Sequence, residues 1–154
     1  MKIYKPSYFK PRDFMLADNI TVGQFCFVAP RFLEMGDGSQ LAPGAKITGG
    51  GNVYIGKNVA VGFNAILIPA TDTKEGKSMN EAGEGRDVIR GSIFLGDGVY
   101  VGSGAIICVS RKCPHIVVGI GAVIGAGCYI DDCVPPFTVT RPSLSQIRTR
   151  RYRE

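Results

Sequence analysis

Aliphatic residues recur at every sixth position along much of this chain. Leu95, Val101 and Ile107 are six residues apart. The same spacing joins Val118, Ile124 and Ile130, and earlier Val22 with Val28, then Met35, Leu41, Ile47 and Val53, then Ile55, Val61 and Leu67. A period of six fits neither a helical turn of about 3.6 residues nor simple alternation, so it indicates a repeated structural unit. We expect short strands joined by tight turns, with the inward aliphatic side chains stacked into a continuous column.

Small residues at fixed places in the repeat indicate where the backbone turns. Gly96 and Gly102 directly follow an inward aliphatic residue, and a larger side chain there is expected to clash with the bending backbone. Asn58 and Asn64 occupy matching positions in IGKNVA and VGFNAI, and asparagine tolerates the left-handed backbone of a tight corner. The pattern therefore predicts an all-β chain made of hexapeptide repeats that coil as a parallel β-helix.

The register fails completely over residues 69–91, PATDTKEGKSMNEAGEGRDVIRG, which we interpret as one long inserted loop. Long loops on a rigid frame are often functional, although an insertion without a role remains the alternative. The polar side chains of Asn80, Glu84 and Arg86 offer donors and acceptors that suit the hydroxyl groups of a sugar. A second, shorter break separates Ile107 from Val118 and contains His115.

The repeats predict a single β-helix domain over residues 1–154. Residues 1–19 show no six-residue register and are expected to form an N-terminal cap over the open end of the coil. Residues 69–91 form the inserted loop, and residues 137–154 are a basic C-terminal segment beyond the repeats.

Composition narrows the possible partners and the compartment. The net charge of +5 comes largely from the C-terminal stretch, but no recognition motif for nucleic acid accompanies it. No apolar run approaches the roughly 20 residues of a membrane span, and no signal peptide is recognisable. The five cysteines contain no C-x-x-C pair and suit structural thiols in a reducing cytoplasm, and a single histidine gives little support for a metal site.

Five stretches carry a resemblance to a known family: IGKNVAVGFNAILI, LGDGVYVGSGAII, VVGIGAVIGAG, VPPFTV and QIR. They resemble the hexapeptide-repeat acyltransferases, and most of all galactoside acetyltransferase and the sugar O-acetyltransferases of surface-polysaccharide synthesis. The resemblance implies a left-handed parallel β-helix, a homotrimer, and acetyl-CoA bound between neighbouring coils. It also implies transfer of the acetyl group to a sugar or nucleotide sugar, with no metal.

The resemblance extends to particular residues. By motif position, Ser103 and Ala126 would line the path of the pantetheine arm, and Arg148 would face the phosphates of CoA. The family's catalytic histidine, however, is missing, because Thr71-Asp72-Thr73 follows the matching strand ILIPA.

The missing histidine leaves the catalytic base open. Asp72, at the mouth of the long loop, and His115, whose residue type titrates near neutrality, are the two candidates. A neutral amine is already nucleophilic and needs a base less than a hydroxyl does, so N-acylation of an amino sugar stands beside O-acylation. No Ser-His-Asp array is readable, which favours direct transfer over a covalent intermediate.

Two other functions are compatible with such a fold. A non-catalytic trimeric scaffold with a decayed active site would retain the repeats, and the missing histidine favours it. A carbonic anhydrase of the same fold needs three histidines to hold its metal. This chain has one histidine, which argues strongly against that function.

Overall fold

Short strands wind in successive coils of three through the described part of the chain. The structure is a computed structural model that describes residues 1–73 and 87–143. The first three coils contain β1 (Lys2–Ile3), β2 (Tyr8–Phe9) and β3 (Asp13–Leu16), then β4 (Thr21–Val22), β5 (Phe27–Val28) and β6 (Phe32–Met35), then β7 (Gln40–Leu41), β8 (Lys46–Ile47) and β9 (Asn52–Ile55). The fourth coil contains β10 (Ala60–Val61), β11 (Ile66–Ile68), the inserted pair β12 (Ala70–Asp72) and β13 (Val88–Arg90), and β14 (Ser92–Leu95). The remaining strands are β15 (Tyr100–Val101), β16 (Ile106–Cys108) and β17 (His115–Val118), then β18 (Val123–Ile124), β19 (Tyr129–Ile130) and β20 (Val139–Thr140).

Corresponding strands of successive coils pair in parallel and build three sheets. Sheet A contains the first strand of each coil in the order β1-β4-β7-β10-β15-β18-β20, and sheet B contains the second in the order β2-β5-β8-β11-β16-β19. Sheet C contains the third, β3-β6-β9-β14-β17, and a parallel bridge from Val118 to Val134 extends it. Three parallel sheets wound in this way form a three-sided parallel β-helix, which confirms the predicted all-β fold.

The core is the stack of inward side chains from all three sheets. The fully buried members include Val22, Leu41, Val61, Val101 and Ile124 on sheet A, Val28, Ile47, Leu67 and Ile107 on sheet B, and Leu33, Val53, Ile93 and Ile116 on sheet C. Burying one such side chain contributes about 1.5–3 kcal/mol. The column predicted from the six-residue spacing is therefore the main source of stability.

Sheet C explains why the six-residue register slips at intervals. Its strands are four residues long and turn two side chains inward, as Val53 and Ile55 do in β9. In β9 the first inward residue, Val53, ends one run of sixes, and the second, Ile55, begins the next. The two-residue slip between these runs therefore marks a strand of sheet C.

The corners between sheets are built from residues in the left-handed region. We name them corner AB, corner BC and corner CA after the sheets that they join. Asn58 at corner CA and Asn64 at corner AB both have φ of 54°, which confirms the prediction that they form corners. Their N–H groups donate to carbonyls of the preceding coil, Asn58 to Asp37 at 2.8 Å and Asn64 to Pro43 at 3.3 Å.

The glycine that follows an inward aliphatic residue lies against the next coil. A Cβ built on Gly96 would lie 2.8 Å from the backbone nitrogen of Ile120, closer than real Cβ atoms come. The expectation that a larger side chain clashes at this place is confirmed.

Both ends of the described chain differ from the prediction. Residues 1–19, expected to form a cap without register, instead form the first complete coil, with β1, β2 and β3 paired in parallel to the second. At the other end, where we expected the repeats to stop before residue 137, β20 adds one more parallel strand to sheet A. Over residues 1–73 and 87–143, no helix is long and apolar enough to cross a membrane.

Two of the five cysteines belong to the core at corner AB. Cys26 and Cys128 are 2% and 3% exposed, and they occupy the inward place that alanine fills in the coils between them. Those alanines are Ala45, Ala65 and Ala105. All five cysteines are free thiols.

Candidate active site

The long insertion leaves the β-helix at corner BC through a two-stranded hairpin stem. β12 and β13 pair antiparallel, with Asp72 opposite Val88. Thr73 closes the described part of the stem, because its N–H donates to the carbonyl of Asp87 at 2.9 Å and its hydroxyl donates to the Asp87 carboxylate at 2.7 Å. The stem therefore begins the insertion in a defined direction from a rigid coil.

The next coil holds the base of this stem in place. The Arg111 guanidinium donates to the carboxylate of Asp87 and forms an ion pair with it. Within the stem, the Gly91 N–H donates to the carbonyl of Pro69 at 2.9 Å. The stem is thus tied both to its own coil and to the loop of the following coil.

A small cleft of about 240 Å³ lies against the stem, on the side of the preceding coil. Asp72 and Arg90 line it from the two strands of the stem, and Gly49 and Gly50 line it from the preceding coil. A carboxylate and a guanidinium in one cleft can accept and donate hydrogen bonds to a polar substrate. The prediction placed Asp72 at the mouth of the loop, and the structure places it there.

His115 lies at the same corner, one coil further along. It is the first residue of β17, it is exposed, and it pairs with Ser92 of β14, where the chain re-enters sheet C after the stem. The two candidate bases, Asp72 and His115, are therefore both at corner BC on neighbouring coils.

Ser103 and Ala126 lie at a different corner. Both are exposed at corner AB on successive coils, each directly before a left-handed glycine. The N–H of Gly127 donates to the carbonyl of Ser103 at 3.0 Å, so the two positions are stacked. Ser103 and Ala126, which the resemblance assigned to the pantetheine path, are therefore adjacent in space.

Sheet B separates the two corners. Its outer face carries Ile66, Ile106 and Tyr129 in one lateral row, because these residues pair directly with one another. Burial raises the pKa of Tyr129, and the neighbouring Cys108 raises it further. This row runs from coil to coil, parallel to the axis of the β-helix, at the edge of sheet B next to corner AB. Nearer corner BC the outer face carries the paired residues Ile68 and Cys108.

Four predicted site residues lie outside the described part of the chain. They are Asn80, Glu84, Arg86 and Arg148.

Sequence reasoning missed a cluster at corner BC made by Cys113, Asp132 and Cys133. Their ligand atoms all lie within 4.8 Å of one another. Lys112 forms an ion pair with Asp132 and lowers the pKa of that carboxyl. Burial raises the pKa of the Cys113 thiol, and the adjacent Cys133 adds to the effect. The spacing of 20 residues between the cysteines, close to one coil, could have revealed the pair.

A second feature missed from the sequence is an aromatic ladder on the outer face of sheet C. Tyr54 stacks on Phe94 with ring centroids 4.6 Å apart and planes 4° apart, and Phe32 lies 5.4 Å from Tyr54. The ladder borders a groove of about 440 Å³ that continues past Val117 to Pro136 at corner CA. The signal was available, because each of these aromatic residues stands next to an inward aliphatic residue.

Comparison with known sequences identifies no family. No protein-family model matches the chain. The search of curated proteins gives no match either.

Solved structures, in contrast, share the fold. A hexapeptide-repeat-containing acetyltransferase from Vibrio cholerae, complexed with acetyl-CoA, matches with a TM-score of 0.61 and 19% identity over 85% of this chain and 65% of its own. AntD, an N-acyltransferase from Bacillus cereus in complex with dTDP and 3-hydroxybutyryl-CoA, matches with a TM-score of 0.62 and 18% identity over 89% and 72%. A mutant of AntD in complex with dTDP-4-amino-4,6-dideoxyglucose and CoA matches with a TM-score of 0.57 and 16% identity over 97% and 81%.

These similarities establish the architecture of the chain. At 16–19% identity the likeness concerns the fold alone. The chain is a left-handed parallel β-helix of hexapeptide repeats, as the family resemblance implied.

Proposed function

We propose that this protein transfers an acetyl group from acetyl-CoA to a hydroxyl or amino group of a sugar or nucleotide sugar. The observation that carries the proposal is the placement of a stacked backbone corner, formed by Ser103 and Ala126, across one apolar sheet from the polar cleft of Asp72. The solved structures that share the fold support it, because acetyl-CoA, CoA and a dTDP-amino sugar are bound in them.

In this proposal the carrier lies along corner AB. Exposed backbone groups at Ser103 and Ala126 can bind the amides of pantetheine, since no long side chain intervenes at either position. The arm then crosses the outer face of sheet B, past Ile106 and Cys108 of β16, and brings its thioester to corner BC. Arg148, outside the described residues, would pair with the phosphates.

The acceptor is placed at corner BC. Asp72 and Arg90 would hold it in the cleft, together with Asn80, Glu84 and Arg86 of the insertion, which lie outside the described residues. Its oxygen or nitrogen attacks the thioester carbonyl, the C–S bond breaks, and CoA leaves as the thiol. The proton released by the acceptor passes to Asp72 or His115.

Positioning supplies more of the rate than the base in this scheme. Bringing the two substrates together can be worth an effective molarity of about 10⁵–10⁸ M, whereas a general base contributes about 10²–10⁴-fold. The imidazole of His115 has no hydrogen-bond partner within residues 1–73 and 87–143 that would orient it as a base. An amine acceptor, which needs less help, therefore fits this site better than a hydroxyl.

We further propose a homotrimer in the cytoplasm. Exposed apolar side chains on sheet C and at corner CA, including Phe94, Val117 and Ile120, offer a surface that a second copy would cover. Five free thiols suit a reducing compartment. Analytical ultracentrifugation of the full chain measures the trimer directly.

Two measurements test the transferase. CoA should raise the melting temperature, because a ligand that binds the native state stabilises it. A screen of amino sugars, nucleotide sugars and simple glycosides with acetyl-CoA should then release free thiol with at least one acceptor. A protein that neither shifts its melting temperature with CoA nor releases thiol is a scaffold rather than an enzyme.

A further inference from the structure

Two cysteines from successive coils face each other at corner BC. The Sγ atoms of Cys113 and Cys133 lie 3.6 Å apart, and the carboxylate of Asp132 completes a three-residue group. Cys113 is 9% exposed, whereas Cys133 is at the surface, so the group is open to solvent on one side.

The separation of the two sulfur atoms matches a shared metal ligand better than a covalent bond. Two thiolates at about 2.3 Å from one tetrahedral zinc ion lie about 3.8 Å from each other. A disulfide needs the sulfurs at about 2.0 Å. The observed 3.6 Å is close to the first value, so a cation could enter with little rearrangement.

The surrounding contacts hold both cysteines in place. The Ser110 hydroxyl accepts from the Cys113 N–H at 3.1 Å and donates to the carbonyl of Asp131 at 3.1 Å, which links the two loops that carry the sulfurs. The Val117 N–H donates to Cys133 Sγ at 3.4 Å and so ties this sulfur to β17.

The two thiols and the carboxylate together can provide three negatively charged ligands. A divalent ion displaces the two thiol protons when it binds. Lys112 already pairs with Asp132, but both side chains are largely exposed, so exchanging that pair for a metal bond costs little.

We propose that Cys113, Cys133 and Asp132 bind one thiophilic divalent cation, of which Zn²⁺ is the representative, with water in the fourth position. Binding converts the two thiols to thiolates and releases two protons. The ion links the loop between β16 and β17, which ends at His115, to the loop that follows β19. The site is independent of the proposed transferase activity.

Cobalt titration of the reduced, chelator-treated full chain tests the site. Co²⁺ reports thiolate ligation through a charge-transfer absorption band, and we expect one equivalent to bind and Zn²⁺ to displace it. Cys133→Ser and Cys113→Ser should remove the band, and Asp132→Asn should weaken binding at least about tenfold. Cys128→Ala is the matched control, because alanine fills the same inward place in three other coils, and it should bind as the wild type does.

Folding is measured in the same samples. The melting temperature of the metal-free Cys133→Ser variant should equal that of the metal-free wild type, since Cys133 is exposed, and Zn²⁺ should raise only the wild-type value. The proposal is overturned if the reduced wild type binds no Co²⁺, or if Cys133→Ser binds it equally well. It is also overturned if mass spectrometry finds a Cys113–Cys133 disulfide and reduction restores no metal binding.

Discussion

The backbone N–H of Gly127 donates a 3.0 Å hydrogen bond to the carbonyl of Ser103, which fixes Ala126 directly over Ser103 at corner AB. The same bond recurs between other coils at this corner, for example from Gly104 to Phe63 at 2.8 Å. The proposed carrier path is therefore part of the repeating frame and needs no rearrangement to form.

Blocking this path should weaken CoA binding. In Ala126→Trp the indole would occupy the surface next to Ser103, and we expect the Kd for CoA to rise at least about tenfold. Lys57→Trp is the control, because Lys57 precedes the left-handed residue of corner CA as Ala126 does at corner AB. Isothermal titration calorimetry measures both, and equal affinity in the two variants would argue against the assignment of the carrier to corner AB.

The two candidate bases can be separated by kinetics. His115→Ala or Asp72→Ala should lower kcat by about 10²-fold or more if that residue removes the proton from a hydroxyl acceptor, with CoA binding retained. Both residues are exposed, so neither change should alter stability by more than about 0.5 kcal/mol. Unchanged turnover in both variants with an amine acceptor would show that no base is required.

Removing one inward side chain should destabilise the whole β-helix. Leu67 is 0% exposed between Ile47 and Ile107, and Leu67→Ala should lower the free energy of unfolding by about 2–5 kcal/mol. Val139→Ala, at an exposed position of sheet A, should change it by less than about 0.5 kcal/mol. Urea denaturation followed by circular dichroism compares the two, and similar losses would contradict the assigned core.

The left-handed corner at Asn58 predicts a pair of opposite outcomes. Asn58→Val should cost at least about 1–2 kcal/mol, because a branched Cβ is strained at φ of 54°. Asn58→Gly should stay within about 1 kcal/mol of the wild type, since glycine adopts this conformation freely. Denaturation midpoints decide the matter, and an Asn58→Val variant as stable as Asn58→Gly would be inconsistent with this backbone.

The buried thiol at Cys26 gives stability a dependence on pH. Burial raises the pKa of Cys26, so the unfolded chain loses this proton at a lower pH than the folded chain does. The stabilisation is complete below the ordinary thiol pKa of about 8.5 and is lost as pH rises through the folded value. Denaturation between neutral and alkaline pH should show a smaller decline in Cys26→Ala than in the wild type, and parallel declines would contradict the shift.

The sequence predicts the fold because the repeat is local. Each inward aliphatic residue and each corner residue, such as Asn58, follows from spacing within a few positions. The N-terminal coil was missed although the spacing is present there, since Phe9 follows Ile3 by six positions and Leu16 precedes Val22 by six. Ile3, Phe9 and Leu16 are only partly buried, and polar residues surround them. Their place in the β-helix is set by parallel pairing with the strands of the second coil, which is a long-range contact.

The candidate site is less predictable because it depends on which corner each residue reaches. Ser103 and Ala126 both follow the regular register, so the structure stacks them at corner AB, while their assignment to the carrier path stays a prediction. The stem contacts between Arg111 and Asp87, in contrast, join residues from different coils whose separation is set by an irregular insertion. No period in the sequence encodes such a contact. Cys113 and Cys133 differ in this respect, because their spacing of 20 residues is close to one coil.

The strand after the insertion resumes its pairing as if nothing had intervened, with Leu95 opposite Ile55 in sheet C. Ile47 is followed five positions later by Asn52, whereas Leu67, its partner, is followed 25 positions later by Ser92, the partner of Asn52. The insertion is accordingly separable from the pairing that builds the β-helix. Evolution or protein engineering can lengthen, shorten or replace it between β12 and β13 without changing the strand register of any coil.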